Sequence, residues 1–396
     1  MLIKASKVLY ILFVLYCGWF QIVFFAIPHM LLILGSGMMY FIVLHSLINR
    51  TSLLKFLTGE LQLWLLFAFT SLLFGLFVAV NPDNLIGSVT TFFQYLLLIY
   101  GIIYISNQDG NIDFFINVFI IFVIICAITT IFWGVDSINE KGRIVMGPTD
   151  NPNSLGFIMV YGICFILYKQ NLTKLFYSLL SLSFVLLLIY VCIMTGSRKS
   201  FISIILFIVY WFVYIAFNEI KVSRISVKLK VMISMLLLIG AAYYILVPYF
   251  GNTVLTTRFN TFFEQDTREN MYLEAFEFFK QSPLVGVGLN NFRSLSMYKT
   301  YSHSTYAEAL SCTGIIGSIL YFTPYILLLL HYRRMLTSKL NATLIKQTRI
   351  MLGLFGLLLF LGVGMIHFYE ITSTIIFGML FAFNNVNKNL VSKHNI

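Results

Sequence analysis

The sequence predicts an all-α polytopic membrane protein with about 12 transmembrane helices and one large extracytoplasmic loop containing short amphipathic helices. Three observations predict it. Of the 396 residues, 59% are hydrophobic and only 10% are charged, where a soluble domain carries about a quarter charged. The mean hydropathy is +0.90, and apolar runs of roughly 17 to 25 residues, each able to cross a bilayer, recur from end to end. Between residues 251 and 308, roughly 60 residues pass without such a run, and connections of that length are functional or disordered.

In chain order the runs are 8–28, 30–48, 61–80, 89–105, 114–134, 152–168, 175–194, 201–217, 231–250, 309–331, 350–367 and 371–386. The first follows Lys4 and Lys7 and so resembles a signal peptide. It has no small-residue cleavage site and a second run follows at once, so we read it as an uncleaved first helix. The chain then divides into residues 1–250 with spans one to nine, residues 251–308 as the outer loop, and residues 309–396 with spans ten to twelve and a cytoplasmic tail.

Charge sets the expected orientation. With the N-terminus inside, 17 of the 26 Lys and Arg fall in inner tails and loops, while 11 of the 15 acids fall outside. That is the positive-inside pattern, and it places both termini in the cytoplasm. It also accounts for the net charge of +11 without nucleic acid, which is excluded as a partner; the lipid bilayer is the expected one. Cys17, Cys126, Cys164, Cys192 and Cys312 stand singly in or beside runs. They show neither disulfide nor zinc spacing.

Chemistry concentrates on the outer side. In "TRENMYLEAFEFFK", Met271, Ala275, Phe276 and Phe279 recur at helical spacing, opposite Glu269, Glu274, Glu277 and Lys280. That pattern suits a short helix at a membrane surface. Pro283 ends it, and Gly286 and Gly288 allow a tight turn or close backbone approach. The segment "AEALSCTGIIGSILY" carries Ala309, Ser311, Gly314, Gly317 and Ser318, small residues that let helices pack closely in lipid. Two more outward stretches carry cations against the positive-inside trend. "TGSRK" holds Arg198 and Lys199, and "KGRIVMGPTDNPNSLG" holds Arg143, Asp150, Asn151 and Asn153. Arginines at such positions suggest a site.

In order, "GPTDNPNSLG", "TGSRKS", "TRENMYLEAFEFFKQSPLVGVGLNNF" and "SHSTYAEALSCTGIIGSILYF" resemble the integral-membrane O-antigen ligases and the O-antigen or capsule polymerases of bacteria. By motif the similarity covers residues 143–322, and by architecture the whole chain. The resemblance implies a C-type glycosyltransferase-like fold and glycosyl transfer outside the plasma membrane. Donor and acceptor would be polyprenyl-diphosphate-linked glycans, and a chain-length regulator protein is a candidate partner. It also implies essential roles for two outer arginines and a loop histidine, which map to Arg198, Arg268 and His303. This chain has Ser304 where the family often has Asn after that histidine.

The physical demands agree with those residue types. Expelling a lipid diphosphate needs fixed positive charge; no Asp-x-Asp metal motif occurs in the sequence, and no metal or other cofactor is expected. Arginine grips phosphate oxygens in pairs and stays charged. A neutral imidazole can take the acceptor hydroxyl's proton. Arg143, Lys199 and Asn153 are further candidates for binding phosphate or glycan, and Glu308 for binding acceptor sugar or orienting His303. Simpler readings stand beside these. Ser302 and Ser304 could make His303 part of a helix cap, Arg198 could anchor lipid headgroups, Arg268 could begin a solvated helix, and Glu308 could be a membrane-edge carboxylate. His331 and His367 read as interfacial filler. Polymerase is the first reading, O-antigen ligase the second, and a transporter or flippase of lipid-linked glycan the third.

Overall fold

The computed structural model describes residues 1–17, 29–133, 143–144, 151–170, 175–216, 225, 240, 254–256, 267–338 and 340–393. Eleven of the twelve predicted runs hold a helix. The long ones before the outer loop are α1 (Leu2–Leu15), α2 (Met30–Ile48), α3 (Gly59–Val78), α4 (Pro82–Asp109), α5 (Asp113–Trp133), α6 (Pro152–Lys169), α7 (Leu175–Met194) and α8 (Arg198–Trp211). The outer segment holds α9 (Thr267–Gln281) and the single turn α10 (Phe292–Leu295), and α11 (Thr305–Thr337), α12 (Ala342–Leu361) and α13 (Ile371–Lys393) complete the chain. The ninth run, 231–250, lies outside the described residues apart from residue 240. No β-strand occurs among the described residues. Eight of the helices are long and apolar enough to cross a membrane, so the protein is an all-α, multi-pass membrane protein.

Helix ends follow caps more closely than hydropathy. The fourth run becomes a 28-residue helix because Pro82 sits in its first turn, Asn81 caps it, and left-handed Gly110 ends it. Its polar last turn is held by Lys7, whose Nζ lies 2.7 Å from an Asp109 carboxylate oxygen. Around the bundle, α1 lies on α2, α3 packs on α4 and α11, α13 runs along α4, and α6 contacts α7, α8 and α5. Small residues permit these approaches: a Cβ at Gly101 would strike Met38, and one at Gly378 would strike Ile102, as packing in lipid requires. At the centre, Trp64 of α3 donates through its indole N–H to the Tyr321 carbonyl (2.9 Å) and stacks on the Tyr321 ring at 5.6 Å. The opposite face of α3 presents Phe69, Leu73, Leu76 and Phe77 outward, as a lipid-facing stripe would.

The tenth run departs most from expectation. It is read above as one straight span, but α11 breaks at Gly314, whose φ of 61° and ψ of −163° are non-helical. Tyr306 and Phe322 would stand about 24 Å apart along an unbroken helix. Their rings instead stack at 5.5 Å and 17°. The helix therefore folds back on itself, with a short limb 305–313 beside a long limb 315–337. Only the long limb, about 34 Å by helical rise, spans a bilayer.

The loop after α9 makes the break possible. In a continuous helix the N–H groups of Ile315 and Ile316 would bond to the carbonyls of Ser311 and Cys312. Here those N–H groups donate to Pro283 (2.9 Å) and Leu284 (3.1 Å), and the freed carbonyls accept from Val287 and Gly288 (both 2.9 Å). Two helical bonds are exchanged for four loop bonds, so none of these four helix groups is orphaned. Gly286 and Gly314 are left-handed, and a Cβ on either would collide with the backbone of the other segment, at Cys312 and Leu284 respectively. Close backbone approach at Gly286 is as the sequence suggests. Gly314 serves to admit the loop, whereas the sequence suggests packing between helices.

Candidate functional site

A cavity of about 180 Å³ is walled by three separate pieces of chain: Asn151, Asn153, Ser154 and Phe157 at the start of α6; Tyr301 and His303; and Gly364, Met365, Ile366, Tyr369 and Glu370 from the turn between α12 and α13. Each piece is fixed in place.

The first is fixed by capping and by Arg143. Asn151 caps α6, accepting from the Asn153 N–H at 3.0 Å. Arg143, 8% exposed, donates from Nη2 to Asn153 Oδ1 (2.8 Å) and from Nε to the Thr195 carbonyl (2.8 Å). It thereby ties the "NPNS" motif to the "TGSRK" turn. In that turn Ser197 caps α8, accepting from the Ser200 N–H, and Gly156 of α6 presses against Ser197 and Ser200. Arg198 and Lys199 are the first two residues of α8 and are half-buried. The Lys199 ammonium lies against Gly364, where a Cβ would meet it, so it reaches the cavity wall.

The second piece is strained and stapled. His303 is left-handed, with φ 58°, a conformation uncommon outside glycine and frequent at functional sites. Its ring meets Tyr301 edge-on at 4.6 Å. Ser304 caps the short limb of α11, accepting from the Ala307 N–H. Thr305 donates its N–H to the Gly362 (2.8 Å) and Met365 (3.0 Å) carbonyls. Its Oγ1 donates to the Met365 carbonyl and accepts the His367 N–H at 3.0 Å. Phe368 of the same turn packs on Tyr321 at 5.1 Å, about 10 Å along the helix below the Gly314 tip. His303 thus sits at the foot of the folded-back limb.

Glu308 is fully buried and does not line the cavity. Its Oε2 accepts the Ser302 N–H at 2.8 Å, so it holds the residue next to His303, the orienting arrangement that the sequence offers beside a sugar contact.

The third piece contains the group that sequence reasoning missed. Glu370 takes one long bond, from the Ser154 hydroxyl to Oε1 at 3.4 Å. Burial pushes its carboxyl up to about 7, against the weaker opposing effect of Ser154. A carboxyl so poised exchanges protons near neutral pH. The sequence carries only a faint signal for it, a lone acid in "HFYEITS" between the last two runs. Tyr301 is also shifted upward, chiefly by burial and then by Glu370 and Glu308, with Arg268 acting in the opposite sense. His367, read above as interfacial filler, is buried, with Nε2 on the Leu358 carbonyl (2.7 Å) and Nδ1 on Ser373 Oγ (3.0 Å). Burial lowers it to about 4, so it stays a neutral brace.

Arg268 approaches from above on α9. Tyr272, one helical turn later on the same face, donates its hydroxyl to the Val363 carbonyl at 2.7 Å, and the Arg268 charge is felt at Tyr301. Met271 and Ala275 are the buried face of α9, while Leu273 and Phe276 are exposed. Of the residues singled out from sequence, the structure puts His303 and Asn153 in the cavity wall, Lys199 against it, Arg143 behind it and Arg268 near its Tyr301 side. Arg198 begins α8 beside Lys199 and is not a wall residue. Asp150 lies outside the described residues. Among the described residues no cluster of three His, Cys, Asp or Glu is arranged to hold a metal.

Residues 182–322 match the family model described as O-antigen ligase. Over this segment the chain is similar to the O-antigen ligase family. The family region runs from α7 through Arg198, Lys199, Arg268, His303 and Glu308 and ends in the long limb of α11 at Phe322. It bears out the resemblance read from the motifs. The α6 wall and Glu370 lie beyond the matched O-antigen ligase segment, on parts of the chain that the bundle brings to it. A comparison with curated proteins finds no match.

Proposed function

We propose that the protein is a glycosyltransferase that polymerises polyprenyl-diphosphate-linked repeat units into O-antigen or capsular polysaccharide at the outer face of a bacterial plasma membrane, with both termini in the cytoplasm. The observation that supports it best is the meeting of His303 with Glu370, Asn153 and Ser154 in one polar cavity, with Lys199 at its wall. In this reading Arg198, Arg268 and Lys199 hold the donor diphosphate. An acceptor hydroxyl oxygen bonds to the anomeric carbon as the bond to phosphate oxygen breaks, and the electron pair leaves on the diphosphate. His303 takes the hydroxyl proton, help worth about 100- to 10,000-fold. Glu370, in the same cavity, is a second group able to hold that proton at neutral pH. One direct displacement gives inversion at the anomeric carbon.

The family description favours a second reading, a ligase that moves finished glycan to lipid A core or another acceptor. The broken α11 favours a third, since discontinuous helices line transport sites. Reconstitution in proteoliposomes with lipid-linked repeat units separates them. A ladder of lipid-linked products from the donor alone supports polymerisation. Single transfers that require an added core acceptor support ligation, and substrate crossing the bilayer without bond formation supports transport. A product ladder from a His303→Ala variant at the normal rate would overturn the role given to the histidine. Co-purification from native membranes tests for a chain-length regulator.

A further inference from the structure

The turn from Gly362 to Met365, between α12 and α13, touches three arms of the site at once. The carbonyls of Gly362 (2.8 Å) and Met365 (3.0 Å) accept the N–H of Thr305, two residues after His303. The Val363 carbonyl accepts the Tyr272 hydroxyl of α9, the helix whose first turn holds Arg268. Gly364 lies against Lys199 of α8. From this convergence we propose that Gly364 is a positioning residue: its missing side chain is the seat that holds the Lys199 ammonium at the cavity wall, where it meets the diphosphate of the lipid-linked donor. The inference rests on the glycosyl-transfer reading above.

Glycine at this position answers to space and not to backbone. Among the described residues the left-handed glycines are Gly110, Gly196, Gly286, Gly288 and Gly314. Gly364 is not one of them, so its backbone would accept alanine. What a Cβ there would meet is a single side chain: the three nearest atoms are Nζ, Cδ and Cε of Lys199, with Cε at 2.8 Å. The end of the lysine stem therefore fills the space that a methyl group would take, and Gly364 itself lines the cavity. Helix stability gives no reason to put the cation there. Lys199 follows Arg198 in the first turn of α8, where the macrodipole disfavours positive charge. The same dipole adds to the pull of both cations on an anion. Lysine carries its charge on a flexible four-carbon stem, so a fixed contact to phosphate needs the stem confined, and the slot at Gly364 confines it. A purely structural turn explains close packing at Gly364. It does not explain why the neighbour packed there is a cation at the wall of a polar cavity.

The test is a double-mutant cycle on the full-length protein, with binding and turnover read separately. Lys199→Met nearly keeps the stem length and removes the charge. With polyprenyl diphosphate as the probe, Gly364→Ala alone should weaken binding about 10-fold, as for loss of one charge-assisted phosphate contact. In the Lys199→Met background the same change should weaken it less than about 2-fold further, because the two residues act as one. Equal losses in both backgrounds would make Gly364 a packing residue and overturn the proposal, as would full affinity in the single variant. In proteoliposomes with lipid-linked repeat units, kcat/KM should follow the same pattern. The expected cycle in binding, with no bond formed by the unaltered protein, would overturn the glycosyl-transfer reading and leave the diphosphate seat standing. The displaced atoms are the tip of a flexible side chain, so Gly364→Ala should melt with the parent. A measurement on the unaltered chain covers the case in which it does not. Polyprenyl diphosphate should lower the modification of Lys199 by a lysine-selective acylating reagent, read by mass spectrometry. Undiminished modification would sink the seat.

Discussion

Buried Glu60 lies in the first turn of α3 and half-buried Glu370 lies just before α13, at opposite ends of the same bundle. Glu60 faces a completed polar node. Its Oε1 lies 3.4 Å from His331 Nδ1 and accepts from Asn384 Nδ2 at 3.3 Å, and that amide nitrogen lies 2.9 Å from His331 Nδ1. The node fastens α3, α11 and α13 to one another. Glu370 has a single long bond and an open cavity in front of it. The difference separates a carboxylate that holds helices from one that is kept available: breaking a paired buried charge is costly to stability, whereas an underpaired one in a cleft is shifted and reactive.

Substitutions at four positions break or sharpen that contrast, in falling order of expected effect. His303→Ala should lower turnover about 100- to 10,000-fold with normal expression, measured as product formed per mole of purified protein. Near-normal turnover would leave the open end without its base. Arg268→Ala should cost about 10- to 100-fold through loss of a charge-assisted phosphate contact, and Arg268→Lys should restore only part of it because a point charge lacks the planar fork. Glu370→Gln should cost about 10-fold in kcat and remove the inflection near pH 7 from the pH–rate profile. Its stability effect has a definite sign. A carboxyl raised when folded contributes stability below its ordinary range and loses that contribution as pH climbs through about 7, so above pH 7 the glutamine variant should melt no lower than the parent. Glu60→Gln should leave turnover within about 2-fold and instead lower stability by about 1–3 kcal/mol through its orphaned partners, read as a fall in melting temperature in detergent. A slow but fully stable Glu60→Gln protein would erase the distinction between the two ends.

Much of this was legible in the residues, for reasons that also explain what was not. Long apolar runs carry their own evidence of helix, because backbone in lipid must satisfy itself. His303 and Asn153 stood out because polar residues beside apolar runs are conspicuous. The fold-back of α11 was hidden because hydropathy reports burial and says nothing of direction. What turns the chain is Gly314 meeting Leu284, a contact between segments that share no periodicity. Glu370 was hidden because one acid between two runs looks like ordinary loop polarity, and its shift comes from burial that only the assembled bundle creates. For Glu308, spacing could not choose between orienting His303 and binding sugar, since its bond to Ser302 lies behind the loop.

The exchange of hydrogen bonds at Gly314 has a kinetic consequence. The N–H groups of Val287, Gly288, Ile315 and Ile316 belong to two segments, yet each closes a bond that the other segment's conformation requires. None of the four can be exposed to solvent deuterium by local fraying of its own helix or loop. Their amide protons should be protected as a single cooperative block and exchange at one common rate, set by the opening of the whole joint.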